Sequence, residues 1–193
     1  LKKWALTEPR IRLLPFEDRA GGPTANFGRI LESLKQPASY IFFCDQDDVW
    51  KPEKISAQLV ALQETEARLP AGTPVAVHTD LEIVGPHLEP MAKSAKTHMG
   101  FESTRGPLFQ RLLAQNFVTG CTLAINYALL KTCLPIPTDA LMHDWWIALV
   151  ATARGELVYL PQATVFYRQH GKNASGPARP KNLKDGLRAL LSQ

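Results

Sequence analysis

Cysteine is scarce in this chain: three in 193 residues, at positions 44, 121 and 133, none in a C-x-x-C spacing. An odd count among apolar neighbours argues against a disulfide framework and for reduced, buried thiols of a cytosolic protein. No apolar run reaches the roughly 18 residues of a membrane span. Charge is not extreme either, at 21% Asp, Glu, Lys and Arg, which argues against wholesale disorder. There is no internal repeat and no low-complexity tract. The opening "LKKWALTEPRIRLLP" has no Met and is not a signal-peptide pattern. It reads like the end of a helix running into a strand, so the chain is expected to begin part-way into a domain.

What is present is a core. At 45% hydrophobic, 193 residues suffice for one domain. The net charge of +4 is unevenly placed: from Arg168 onward six basic residues face the single acid Asp185, leaving the rest about neutral. That end is either a solvated tail or a surface for phosphates on a substrate or a membrane. Strands are expected at Ile11–Pro15, Ser39–Cys44, Val75–Val84, Phe117–Ile125, Leu157–Leu160 and Thr164–Arg168. Helices are expected at Pro23–Gln36, Pro52–Arg68, Leu108–Ala114, Tyr127–Thr132 and Leu141–Ala153, with a basic amphipathic helix over 180–193. The polar stretch from Gly85 to Pro107 reads as a long loop. Strands alternating with helices predict an α/β domain with one mixed sheet, over 1–179.

One stretch carries chemistry. In "YIFFCDQDDVWKPEKI" an apolar strand runs into Asp45, Asp47 and Asp48, three carboxylates in four positions. Adjacent carboxylates repel unless cations or donors neutralise them. Ligands in α/β sheets bind at carboxyl ends of strands. Mg²⁺ or Mn²⁺ takes oxygen ligands, often one or two carboxylates together with substrate phosphates. The alternative is a solvated loop whose Asp48 caps the following helix.

Two segments together, "NFGRILESLKQPASYIFFCDQDDVWKPEKI" and "MHDWWIALVATARGELVYLPQATVFYRQHGKN", resemble family-2 glycosyltransferases of the GT-A fold, most of all the bacterial rhamnosyltransferase-like branch. The resemblance spans roughly Arg10 to Asn173. It implies inverting transfer of a sugar from a nucleotide diphosphate, with dTDP-rhamnose favoured, to a hydroxyl of a glycan or lipid-linked acceptor. It implies a divalent metal, Mg²⁺ or Mn²⁺, held by Asp47, with Asp45 near the metal or the donor ribose. His170 is then a metal ligand or diphosphate contact, and Arg168 adds positive charge beside the donor. Asp144 occupies the place of the catalytic base. Beside Trp145 and Trp146 it would be partly desolvated, which raises basicity; the alternative is a helix-start cap. Asn26 is either a donor contact or a helix-start residue. Gly120 allows close approach of the acceptor or marks a strand bulge. His143 and Trp145 are acceptor-proximal or structural, and Asp80 is a weaker candidate for the same cleft.

The family's opening βαβ unit, which holds base and ribose, has no counterpart here, so the expected sheet is incomplete at its N-terminal side. Two other classes compete: a non-catalytic sugar- or partner-binding remnant, and a metal-dependent nucleotidyltransferase, for which "RAGG" is a poor phosphate loop. No nucleic-acid partner is expected. The expected location is the cytoplasm, with peripheral contact at the inner face of the plasma membrane through the basic tail.

Overall fold

The structure is a computed structural model that describes residues 2–14, 22–34, 39–100 and 107–170. The helix expected over 180–193, its membrane contact and the turn at Gly171 and Asn173 lie outside the described residues. Among the described residues no helix is long and apolar enough to cross a membrane.

The helices α1 (Lys2–Thr7) and α2 (Gly22–Glu32) precede strand β1 (Tyr40–Phe42), a two-residue strand β2 (Val49–Trp50) and helix α3 (Lys54–Arg68). Then come β3 (Val75–Val84), β4 (Pro90–Ala92), the short α4 (Ala95–His98) and α5 (Leu108–Ala114). The chain ends its described part with β5 (Leu123–Asn126), α6 (Tyr127–Cys133), α7 (His143–Arg154) and the long β6 (Glu156–Arg168). The sheet is six-stranded in the order β1-β5-β3-β6-β2, with β4 added beside β3. Among the described strands only β3 and β6 run parallel; the other pairs are antiparallel. This is the mixed α/β sheet of a GT-A fold.

The sequence explains the layering. Along "VAVHTDLEIV" nearly every residue is buried, because β3 is central and both its faces are covered. Val75 and Val77 point to one side, where Leu62 and Ala61 of α3 meet Tyr40, Phe42 and Ala124. Ala76 points to the other, joining Leu123 and Ile125 under Leu31, Leu112, Leu129 and Ile147 of the helices α2, α5, α6 and α7. The period-2 alternation of the strands thus makes two cores. Asn126 locks the corner between them. Its Oδ1 accepts from the backbone N–H of Val75 (3.0 Å) and Leu129 (2.9 Å), capping α6, while its Nδ2 donates to Glu66 (2.7 Å) and the Thr73 carbonyl (2.9 Å).

Several expectations need correction. Residues 11–14 form no strand. The Ser39–Cys44 segment, expected to be covered on both faces, yields a three-residue strand at one end of the sheet and half-buried, since only β5 pairs with it among the described strands. The two strands expected at Leu157–Leu160 and Thr164–Arg168 are one, because β6 follows β3 through register shifts around Pro161 and Gln162. Phe117–Thr119 is irregular, and Gly120–Thr122 is a 3₁₀ turn that leads into β5. The loop after β3 carries β4 and α4, the latter capped by Ser94, whose Oγ accepts from the Thr97 N–H (3.0 Å).

Candidate active site

The acidic turn begins where β1 ends. Phe43 turns into the core, and Cys44–Asp48 lead to β2, which pairs with Val165 and Phe166 of β6. That pairing brings the end of β6 alongside the carboxylates. The Arg168 backbone N–H donates to Asp48 Oδ1 (3.0 Å), its Nε donates to the Asp47 carbonyl (2.9 Å), and its guanidinium also donates to the Pro86 carbonyl (3.0 Å). His170 Nε2 lies 2.7 Å from Asp47 Oδ2. Arg168 therefore fastens the turn to the end of β6 through Asp48, Asp47 and Pro86. Asp48 does not cap α3, whose first residue is preceded by Glu53 with no side-chain cap.

The electrostatics follow from crowding. Burial, then Asp48 and Asp47, push the Asp45 carboxyl up to about 6. Burial also raises Asp48, against the lowering effect of the Arg168 N–H. Asp48 Oδ2 is buried without a conventional hydrogen bond, against the Cys121 thiol. One atom each of Asp45, Asp48 and Cys121 lie within 4.8 Å of one another. A cation fits here: an oxygen of Asp45 and one of Asp48 converge, and Asp48 carries a buried, unsatisfied oxygen. Burial holds the Cys121 thiol well above its ordinary value, so it stays protonated and is a poor ligand for a hard ion. Asp45 and Asp48 are thus the carboxylates that could hold a hard cation, and Asp47, paired with His170, stands outside that convergent group.

Asp144 opens α7 and is only 5% exposed. Its Oδ2 accepts from the Gly120 N–H (2.7 Å); its Oδ1 accepts from Asn116 Nδ2 (3.1 Å) and the Trp145 N–H (2.6 Å). Burial nonetheless raises its pKa to about 6, and the Asp45 charge adds to the rise. Asp144 thus shares a field with the acidic turn. The need for glycine at 120 is steric: a Cβ would sit 3.0 Å from His143 Nε2 and 3.3 Å from Asp144 Oδ2. His143 stacks on Phe27 (ring centroids 4.0 Å apart) and burial lowers its pKa to about 4; neither ring nitrogen has a partner among the described residues. Trp145 donates from Nε1 to the Leu112 carbonyl (2.6 Å), which ties α7 to α5. Asn26 is exposed on α2, with no hydrogen bond to the carboxylates among the described residues.

Asp80 is a structural group. It accepts from the N–H groups of Leu81 (2.8 Å) and Lys96 (3.3 Å) and from the Ser94 hydroxyl, and so anchors α4. Sequence reasoning passed over Asn116, for which no motif speaks. It also passed over Lys54 and Gln58 of α3. Both are fully buried. Lys54 Nζ donates to Gln58 Oε1 (2.7 Å) and lies over the Trp50 ring, and Gln58 Nε2 donates to the carbonyls of Val77 (3.1 Å) and Thr122 (2.7 Å). Burial lowers the Lys54 pKa to about 8, with opposing contributions from Cys121 and Cys44.

Comparison with known proteins gives this arrangement relatives. The model of "Glycosyl transferase family 2" matches residues 1–131, which include the acidic turn and Gly120 but stop short of Asp144 and His170. A dTDP-rhamnosyl transferase, RfbG of Shigella flexneri, is 26% identical over 175 residues, covering 86% of this chain and 55% of that protein. The chain therefore spans about half the length of that relative. Because the family match extends over well more than half of the chain and takes in the strand-end carboxylates, this protein belongs to glycosyl transferase family 2.

Proposed function

We propose that the protein transfers a sugar from a nucleoside-diphosphate donor to an acceptor hydroxyl with inversion at the anomeric carbon, and that the donor is dTDP-rhamnose. The observation that carries the reading is Asp144: a buried carboxylate, held by three donors, with a raised pKa, in the field of a carboxylate cluster at a strand end. The name of the Shigella relative supports the donor.

In this reading Asp144 takes the proton of the acceptor hydroxyl as that oxygen bonds to the anomeric carbon. The bond from that carbon to the diphosphate oxygen breaks, and the nucleoside diphosphate leaves. A pKa near 6 keeps Asp144 ionised at neutral pH yet more basic than an ordinary aspartate. The Gly120, Asn116 and Trp145 donors fix its orientation before the acceptor arrives, so little reorganisation is left for the transition state. Asp45 and Asp48, joined by Asp47 and His170, would hold a divalent ion, which supplies neutralisation of the departing diphosphate. Arg168 keeps the turn in shape for it. His143, Trp145 and Gly120 form the wall behind Asp144 on the acceptor side, and Asn26 sits on the helix beside the donor. The acceptor is a glycan or a lipid-linked saccharide, met at the inner face of the membrane.

The test is transfer from dTDP-rhamnose, or its slow hydrolysis to dTDP, with Mn²⁺ present. Asp144→Asn is expected to lower turnover by about 10²-fold or more while donor affinity stays unchanged. Collapse of donor affinity with turnover preserved would move Asp144 out of the base role.

A further inference from the structure

A cavity of about 120 Å³ is lined in part by Phe117 and Thr119, whose neighbours Asn116 and Gly120 donate to Asp144. Its walls include His78, Phe117, Thr119 and Tyr159, with Lys96 and Arg111 at its edge. The His78 ring lies between Phe117 and Tyr159, at centroid distances of 6.3 and 5.0 Å. Each cation rests on one of the outer rings: Lys96 Nζ is 4.1 Å from the Tyr159 centroid and the Arg111 guanidinium carbon 5.0 Å from that of Phe117. Neither forms an ion pair among the described residues. Arg111 Nε is buried with no hydrogen-bond partner, a condition that native structures rarely tolerate. The one carboxylate on the wall, Asp80, already accepts three hydrogen bonds that anchor α4. Burial and the Lys96 charge push His78 down to about 3, so its ring is neutral and both donates and accepts.

Aromatic faces flanked by two unpaired cations suit a saccharide that bears an anion: the rings take the apolar face of the sugar, and the cations take the charge. We propose that this cavity binds a phosphate- or carboxylate-bearing sugar unit of the acceptor, with Lys96 and Arg111 reading its charge. The placement of that unit on the acceptor rests on the transfer reading above, because Phe117 and Thr119 in the cavity lining are flanked by Asn116 and Gly120, which hold Asp144. The binding of an anionic sugar does not.

Calorimetric titration of the full chain, without metal or donor, tests this with glucose 1-phosphate, glucuronate, glucose and inorganic phosphate. The two anionic sugars are expected to bind, with glucose and phosphate at least about tenfold weaker. Arg111→Gln and Lys96→Gln should each weaken glucose 1-phosphate about tenfold or more, the size of one lost charge-assisted hydrogen bond. Lys96 is the safer variant, because its backbone N–H, not its side chain, anchors α4. Equal binding of glucose and glucose 1-phosphate, or parent-like affinity in a folded Lys96→Gln protein, overturns the assignment. So does phosphate binding as tightly as the sugar phosphate. The two readings separate in the parent protein: binding of glucose 1-phosphate without any transfer from dTDP-rhamnose counts against the transfer reading alone.

Discussion

Asp144 and Asp45 are held away from ordinary carboxylate behaviour by burial, and this has a consequence for stability as well as for chemistry. Each has a folded pKa near 6 against an ordinary 3.8. The folded state therefore binds protons more tightly than the unfolded chain. The stabilisation this gives is complete below about pH 4 and is lost as pH rises through 6. For the buried Asp144 the loss is on the order of 2–3 kcal/mol. The melting temperature of Asp144→Asn relative to the parent should accordingly be more favourable at pH 8 than at pH 4.5. Asp45→Asn should behave in the same direction with a smaller amplitude, since it is less buried. A difference that does not change between the two pH values would show that neither carboxyl is shifted. The same burial bears on what could be read in advance. Three acids in four positions after an apolar run announce a site, because such crowding is costly without a reason. The partners of Asp144 carry no such mark: Asn116 and Gly120 matter only through where the chain folds back, and a single sequence has no pattern for a glycine whose N–H meets a carboxylate.

Elements were legible where one face or both had to be apolar over many residues. The bounds of β3 and α5 match the sequence pattern, and α3 and α7 differ from it by about a turn or less. The misses have local causes. β2 is two residues long and exists because β6 offers Val165 and Phe166 to pair with it; nothing in "VW" asks for a strand. β6 reads as two strands because Pro161 interrupts the apolar run, yet a register shift carries the strand past it. The buried polar ties between elements were invisible, and they make sharp predictions. Gln58→Ala would strip partners from Lys54 and from two buried carbonyls, and is expected to cost about 2–4 kcal/mol in chemical denaturation. Gln58→Glu keeps an acceptor for Lys54 but loses both donors to Val77 and Thr122, so it should recover only part of that loss. At Asn126, four hydrogen bonds, one of them the cap of α6, depend on one side chain. Asn126→Ala should cost about 2–4 kcal/mol. Asn126→Asp should not restore it, since a second carboxylate would face Glu66. Stabilities of either alanine variant within about 0.5 kcal/mol of the parent would mean that water replaces these contacts at no cost.

At the scale of the whole molecule, the proposed metal site is a seam between distant parts of the chain. Asp45, Asp47 and Asp48 follow an end strand of the sheet, while Arg168 closes β6 and His170 lies just beyond it, Arg168 standing 120 positions after Asp48 and His170 123 after Asp47. The acidic turn is held to that strand by two residue pairs of β2 and by the hydrogen bonds from Arg168 and His170. An ion bound there would cross-link both segments in the folded state and would find no such site in the unfolded chain. Linkage then sets the size of the effect: at a concentration about 100 times its dissociation constant, the ion adds about 2.7 kcal/mol. For a domain of this length, each kcal/mol moves the melting temperature by about 2–4 °C. Saturating Mn²⁺ should thus raise the melting temperature by about 5–10 °C, and a chelator should reverse the rise. Asp47→Asn should lose most of the gain without lowering the metal-free melting temperature, because the same substitution also relieves repulsion within the turn. His170→Gln should lose part of it. Deleting 180–193 should change none of it, which separates this effect from any contact the basic tail makes with phosphates or membranes. A Mn²⁺ response that survives in Asp47→Asn would show that Asp47 is no ligand and would leave the ion to Asp45 and Asp48, whose oxygens converge.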